Sequence, residues 1–220
     1  MKRYFITSSG TEVGKTLLTC ALIRGLQAKG KSVSAQKPVI SGWNESENDS
    51  YAIIDALGLK RNSETLKTVT LYRFDAPLSP DMAARRENAT IDFEKLVAFC
   101  RASPESDVHL IEGAGGVMVP LNDMHHTLDL IKRSSASVIL VVGSYLGAIS
   151  HALTAYKVLR AEAVDIAAIV ISESEISAVG IDEMATTMKN FVRAPIFLIH
   201  RLAKNARLEN EVPEILRIVE

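Results

Sequence analysis

The tripeptide Gly14-Lys15-Thr16 closes an apolar run rich in β-branched and aromatic residues, and a helical pattern follows it at once. A strand feeding a glycine turn into a helix presents several backbone N–H groups to an anion, and the helix dipole adds positive potential there. Lys15 would add a full charge, and Thr16 a hydroxyl where a phosphate-bound Mg²⁺ needs an oxygen ligand. Such a loop normally begins with a glycine five residues before Gly14; that position is Ser9.

Three more groups could serve the same chemistry. In "KPVISG", residues 37–42, Lys37 ends a buried-looking strand, where desolvating an ammonium is costly unless it faces an anion; it reads equally well as an exposed strand-end charge. In "VHLIEGAGGVMVPL" an apolar strand ends in Glu112, followed by Gly113, Gly115 and Gly116, which would let backbone approach a ligand closely. A carboxylate at a strand end beside a phosphate loop is the usual second anchor of Mg²⁺; an ordinary surface Glu on a glycine turn is the alternative. Asp49 opens the helix "SYAIIDALGL" and is most economically its N-cap, with Asp55 a charge on the helix surface. Cys20 and Cys100 lack metal-ligand spacing and read as two buried thiols. His109, His125, His126, His151 and His200 show no ligand spacing either, and the adjacent pair reads as solvated.

The elements that must hold these residues follow from periodicity. Short β-branched runs at 3–7, 32–36, 108–111, 138–142, 166–171 and 196–199 alternate with amphipathic stretches, the pattern of parallel strands joined by crossover helices. One helix starts at Lys15 and ends near Gly30; another is entered through Gly147. Residues 42–49 read as a surface loop, and 72–88 as a loop with a short helix near the rim of the sheet. The expected fold is α/β: one P-loop NTPase-like domain spanning 1–220, with a mostly parallel sheet covered by helices on both faces. Ligands of such a sheet bind at the carboxyl ends of its strands. A formal charge of -1 leaves no basic excess for a duplex nucleic acid or an anionic membrane. The start, "MKRYFITSS", has too short an apolar core for a signal peptide, and no run is long enough to span a bilayer, so a cytoplasmic protein is expected.

"TEVGKT" at 11–16, "KPVISG" at 37–42, "LSPDMAARREN" at 78–88, "EGAGG" at 112–116 and "VVGSYLGAISHALTA" at 141–155 resemble, in this order, the dethiobiotin synthetase family. The resemblance runs from Phe5 to about Ser172 and loosely to Leu202. It implies that ATP and Mg²⁺ drive carboxylation of diaminononanoate by CO2 and closure of a cyclic urea, with release of ADP and phosphate. By the same resemblance Lys15 and Lys37 neutralise the transferring phosphoryl group and a carbamate, while Thr11 and Ser41 donate hydroxyls to the carbamate or the amines. Glu12, Val13, Gly14 and Leu17 join Lys15 and Thr16 around the nucleotide, and Thr16, Asp49 and Glu112 hold the metal. Gly113, Ala114 and Gly115 flank nucleotide and substrate. Ser172 and Glu173 stand where relatives contact the adenine with an Asn-Asp pair. Leu146, Gly147 and Ser150 belong to a loop that receives the substrate's carboxylate, in relatives across a homodimer interface. Other departures are Gly10, where many members have Asp, residues 199–201, which replace a proline-containing segment, and Met184, where some have a tyrosine on the substrate's carboxylate.

Two other readings share the phosphate loop. Amide ligases of corrin synthesis continue into a glutamine-hydrolysing domain, for which this chain has no room. Partitioning ATPases that act as switches carry a second lysine at the position of Gly10, and it is absent. From the sequence, Lys15 is expected in a solvated cleft, so that replacing it by alanine abolishes phosphate release and leaves the fold intact.

Overall fold

The computed structural model describes residues 1–102, 104–177, 179–201, 216 and 219; Leu202, where the looser resemblance ends, lies outside them. Six parallel strands form one sheet in the order β2 (Val33–Gln36), β5 (Val108–Glu112), β1 (Lys2–Ser8), β6 (Ser137–Val142), β7 (Ile166–Ser172) and β8 (Ile196–Ile199). These six are the strands expected from the periodicity, with ends moved by one residue at most. The middle of the sheet reads as continuous apolar sequence because both faces are covered, as in Val138, Ile139, Leu140, Val141 and Val142, all at 0% exposure.

One face packs α1 (Lys15–Ala28), α2 (Asp49–Ala56) and α3 (Ser63–Val69) through Leu18, Leu22, Ile53, Ile54 and Leu66 on to Ile6, Leu110 and Ile139. The other face carries α5 (Phe93–Arg101), α6 (Thr127–Ser134), α7 (Ala148–Ala161) and α8 (Ile181–Lys189), whose Leu96, Ile131, Leu159 and Met188 meet Phe5, Ile111 and Leu140. Strand order reverses around β1: from β1 the chain crosses to β2 at one edge, returns to β5 beside β1, and then runs outward on the other side through β6, β7 and β8. The loop leaving β1 therefore sits at the switch point of the sheet, where such folds bind ligands.

Beyond the expected elements, β3 (Val39–Ser41) and β4 (Tyr72–Phe74) pair in parallel as a separate two-stranded sheet, with α4 (Pro80–Arg86) behind it. Residues 72–74 are thus strand, which corrects the loop expected there. Three-residue strands leave no periodicity to read, and their stability comes from pairing and from Val39 and Phe74 entering the core. Cys20 and Cys100 are buried free thiols whose pKa burial pushes up to about 12, so they stay protonated. The adjacent histidines are not simply solvated: His125 stacks on Phe93 at 3.9 Å, and His126 caps α6 in a reciprocal box with Asp129.

Candidate active site

The turn between β1 and α1 puts Glu12 at φ 55° and Gly14 at φ 88°. A Cβ on Gly14 would lie 2.9 Å from Ser172 Oγ at the end of β7, so both conformation and space demand glycine. Gly14 caps α1 without a side chain, which leaves the N–H groups of the first turn unpaired within the helix. Residues 11–17 line a cavity of about 700 Å³, together with Lys37, Ser41, Asp49, Ala114 and Gly115. Ser9 Oγ, at the usual glycine position, is buried with no partner among the described residues.

Lys15 is 7% exposed, which corrects the solvated placement expected of it. Its Nζ donates to Ser8 Oγ at 3.0 Å and to the Gly10 carbonyl at 3.4 Å. Burial first, and the Lys37 ammonium second, lower its pKa to about 8. Ser8, which sequence reasoning passed over, also donates to the Gly115 carbonyl at 2.9 Å and so links the phosphate loop to the glycine turn after β5.

Lys37 is 4% exposed rather than a free strand-end charge. Its Nζ lies 2.7 Å from Glu112 Oε1, 3.0 Å from Asp49 Oδ2 and 3.2 Å from the Gly113 carbonyl. Burial alone would lower its pKa, but the two carboxylates override that and raise it, so Lys37 is held as a cation. Burial works against the Asp49 charge, yet the Lys37 ammonium holds its carboxyl below the usual range. Asp49 is not the N-cap of α2. Asn48 is, accepting from the Tyr51 N–H at 2.9 Å, and this frees the Asp49 carboxylate to reach Lys37.

Glu112 is fully buried and accepts from Thr16 Oγ1 at 2.7 Å on the same oxygen as Lys37. Its other oxygen lies 2.6 Å from Thr19 Oγ1, a second residue missed in the sequence. The signal was there: Thr16 and Thr19 stand at i and i+3 on α1, one above the other on the same helical face. Of the glycines after Glu112, Gly115 lines the cavity, while Gly113 and Gly116 are required by packing. A Cβ on Gly113 would stand 2.9 Å from the Phe5 ring, and one on Gly116 3.1 Å from the Ser8 carbonyl.

Asp49 and Glu112 both reach the Lys37 ammonium and Thr16 Oγ1 reaches Glu112, so two carboxylates and a hydroxyl, all hard oxygen donors, share one neighbourhood. Among the described residues no three His, Cys, Asp or Glu side chains cluster as a ready-made metal cage. That donor set fits Mg²⁺, which keeps several waters and takes one or two carboxylates plus phosphate oxygens.

Other residues named in the sequence lie apart from the cavity. Gly147, at φ 91°, caps α7, Leu146 beside it is 86% exposed, and Ser150 follows in the first turn. The Glu173 N–H donates to the Ile199 carbonyl at 2.9 Å, and its carboxylate accepts from the Arg201 N–H at 2.7 Å, tying the ends of β7 and β8 together. Met184 is 1% exposed and packs in the core from α8, so it does not face a ligand.

Residues 2–210 match a family model described as an AAA domain. The ATP-dependent dethiobiotin synthetase BioD of Caulobacter sp. (strain K31) is 43% identical over 208 residues, 91% of this chain and 89% of that protein. Its namesake from Phenylobacterium zucineum (strain HLK1) is 44% identical over 180 residues, 79% of this chain and 77% of that protein. The chain belongs to the ATP-dependent dethiobiotin synthetase family. Among solved structures, the septum site-determining protein MinD complexed with Mg-ADP from Pyrococcus horikoshii OT3 aligns over 100% of this chain and 98% of its own, with TM-score 0.59 at 16% identity. A ParA family ATPase from Chlorobium tepidum TLS gives TM-score 0.57 at 15% identity over 95% of each chain. At such identities these two show the shared P-loop NTPase fold alone, while the family is that of the synthetases. In this chain Lys15, Thr16, Lys37 and Asp49 line the cavity, Glu112 lies buried beneath them in contact with Thr16 and Lys37, and residues 146–150 and 172–173 are not part of the lining.

Proposed function

We propose that the chain, as one domain over 1–220, is an ATP- and Mg²⁺-dependent cyclo-ligase that converts 7,8-diaminononanoate and CO2 into dethiobiotin, ADP and phosphate. One observation supports this beyond family membership. A buried ammonium, Lys37, is held charged by two carboxylates beside a phosphate loop and faces the same cavity as Ser41 and Thr11. A cation fixed there suits a reaction that gathers negative charge from a nucleotide and a carbamate at one place.

In this reading one amine of the substrate adds to CO2, loses a proton and becomes a carbamate. The carbamate oxygen attacks the γ-phosphorus, the bond to the β-γ bridging oxygen breaks and ADP leaves. The second amine then attacks the carbonyl carbon of the mixed anhydride, expels phosphate, loses its proton and closes the cyclic urea. Phosphorylation is needed because it turns a carbamate oxygen, a poor leaving group, into phosphate. The N–H groups at the start of α1, contributed by Gly14 and residues 15–17, cradle phosphate oxygens, and Lys15 exchanges its contacts with Ser8 and Gly10 for phosphate. Lys37 donates to the carbamate and the transferring phosphoryl group. Thr11 and Ser41, both lining the cavity, orient the carbamate and the amines.

Thr16, Asp49 and Glu112 would hold Mg²⁺, which when bound neutralises oxygens of the β- and γ-phosphates. Glu12, Val13, Gly113, Ala114 and Gly115 supply backbone walls, and Ser172 and Glu173 border the base. Leu146, Gly147 and Ser150, at a helix N-terminus, receive the carboxylate of a substrate bound to a second copy, so the working unit is a homodimer. Incubation with diaminononanoate, bicarbonate, ATP and Mg²⁺ tests the reaction: a product with the mass of dethiobiotin, dependent on all four, supports it, and ATP turnover without that product rules it out.

A further inference from the structure

We infer that Thr19 is a positioning residue for Glu112, setting the direction in which that buried carboxylate meets Thr16 and Lys37 beneath the cavity. This rests on the metal-holding role proposed above for Glu112. A carboxylate has two oxygens and room for several donors, and a fully buried one needs them. On Glu112 the donors are divided: Thr16 and Lys37 both meet Oε1, at 2.7 Å each, whereas the contact to Oε2 is Thr19 Oγ1 at 2.6 Å. Two donors on one oxygen fix that oxygen. A donor on the far oxygen, anchored one helical turn further along, supplies a second point and with it fixes the plane of the carboxylate.

The placement of Thr19 carries a physical signature of this task. A threonine inside a helix ordinarily gives its proton to the carbonyl four residues back. Thr19 Oγ1 does lie 2.9 Å from the Lys15 carbonyl, but it has a single proton, and the nearer acceptor is a charged oxygen. Charge-assisted hydrogen bonds are the shorter and stronger kind. Thr19 is also 0% exposed, and its β-branch restricts χ1, so the hydroxyl is aimed without loss of further side-chain freedom. Helix α1 thus grips both oxygens of one strand-end carboxylate through hydroxyls at i and i+3. Thr16 lines the cavity, while Glu112 and Thr19 both lie buried beneath it, Glu112 touching the lining residues Thr16 and Lys37, so Thr19 acts only through Glu112.

The test measures binding of ADP by calorimetry, with and without Mg²⁺, for the full chain and for Thr19→Val, Thr19→Ala and Thr19→Ser. Valine removes the hydroxyl at constant shape. Alanine repeats the deletion without forcing a methyl against a buried carboxylate, should the valine variant fail to fold. Loss of a hydrogen bond behind a metal ligand typically weakens metal affinity about tenfold to a hundredfold. The tightening of ADP by Mg²⁺ is therefore expected to fall by about that factor in Thr19→Val or Thr19→Ala, with ADP alone bound within about twofold of the wild type. Thr19→Ser, which keeps the hydroxyl, is expected to restore it. If the hydroxyl-free variants fold and show the wild-type Mg²⁺ increment, or if serine fails to rescue, Thr19 is a packing residue and the inference falls. The readout needs no turnover, so a protein that makes no dethiobiotin would overturn the proposed function and still decide the role of Thr19.

Discussion

Lys37 concentrates the account at the scale of single residues. Its ammonium compensates Glu112 and Asp49 and, in the proposed reaction, meets charge that develops during transfer. An interaction made mainly in the transition state appears in kcat rather than in binding. Lys37→Gln keeps a donor and loses the charge, and is expected to lower kcat by about a hundredfold or more, with ADP affinity changed far less. Lys37→Arg is expected to fare little better, because a planar guanidinium cannot replace a compact ammonium between two carboxylates 2.7 and 3.0 Å away. Because Lys37 is buried, its removal also leaves buried negative charge uncompensated, a loss of about 3 kcal/mol or more in stability. Rates must accordingly be compared per folded molecule, with urea unfolding run beside the assay. A Lys37→Gln protein that folds and turns over near the wild-type rate would reduce Lys37 to a structural counterion.

Helices and strands explain which of these features were legible in the sequence. The phosphate loop, Lys37 and Glu112 stand at junctions where a strand pattern stops and a turn begins, so chemistry and period pointed to the same place. Asp49 looked like the cap of α2 because Asp and Asn cap equally well, and only the fold shows that Asn48 takes that place. Asn48→Ala is expected to cost about 1 kcal/mol in urea unfolding by leaving the Tyr51 N–H unpaired. An unchanged midpoint would mean that the Lys37 pair, not the cap, holds the start of α2. The burial of Lys15 was illegible because it follows from a turn that folds Ser8 and Gly10 back on to its ammonium. Thr19 was half legible: its register with Thr16 is in the sequence, whereas its partner Glu112 lies far along the chain. His109 on β5 is of the same kind. Ser34 Oγ at 2.8 Å and Gln36 Oε1 at 3.2 Å, both from β2, flank its ring. Burial, helped by nearby Arg3, lowers its pKa to about 4 from an ordinary 6.5. The unfolded chain therefore takes up a proton first as pH falls, and stability present above pH 6.5 is lost towards pH 4, by roughly 3 kcal/mol at most. His109→Gln cannot charge and is expected to show a shallower acid loss in urea midpoint; parallel curves for the two proteins would contradict this.

For the whole molecule, strand order puts the phosphate loop at the switch point, and β3 with β4 adds a wall carrying Ser41 that no single segment announces. Large apolar side chains remain outside this body: Leu146 at 86% exposure and Ile176 at 83%, on the loops that follow β6 and β7. In the proposed homodimer these loops are covered by a second copy. Light scattering on the purified chain is expected to give twice 24.0 kDa at assay concentration, and a monomer with full activity would refute shared sites. The central claim, that a carbamate oxygen attacks ATP, is tested most directly by isotope transfer. With bicarbonate fully labelled in oxygen-18, and quenching before exchange with water, the account predicts dethiobiotin together with phosphate that carries one labelled oxygen. Dethiobiotin formed beside unlabelled phosphate would mean that water, not the carbamate, had taken the phosphoryl group, and would contradict it.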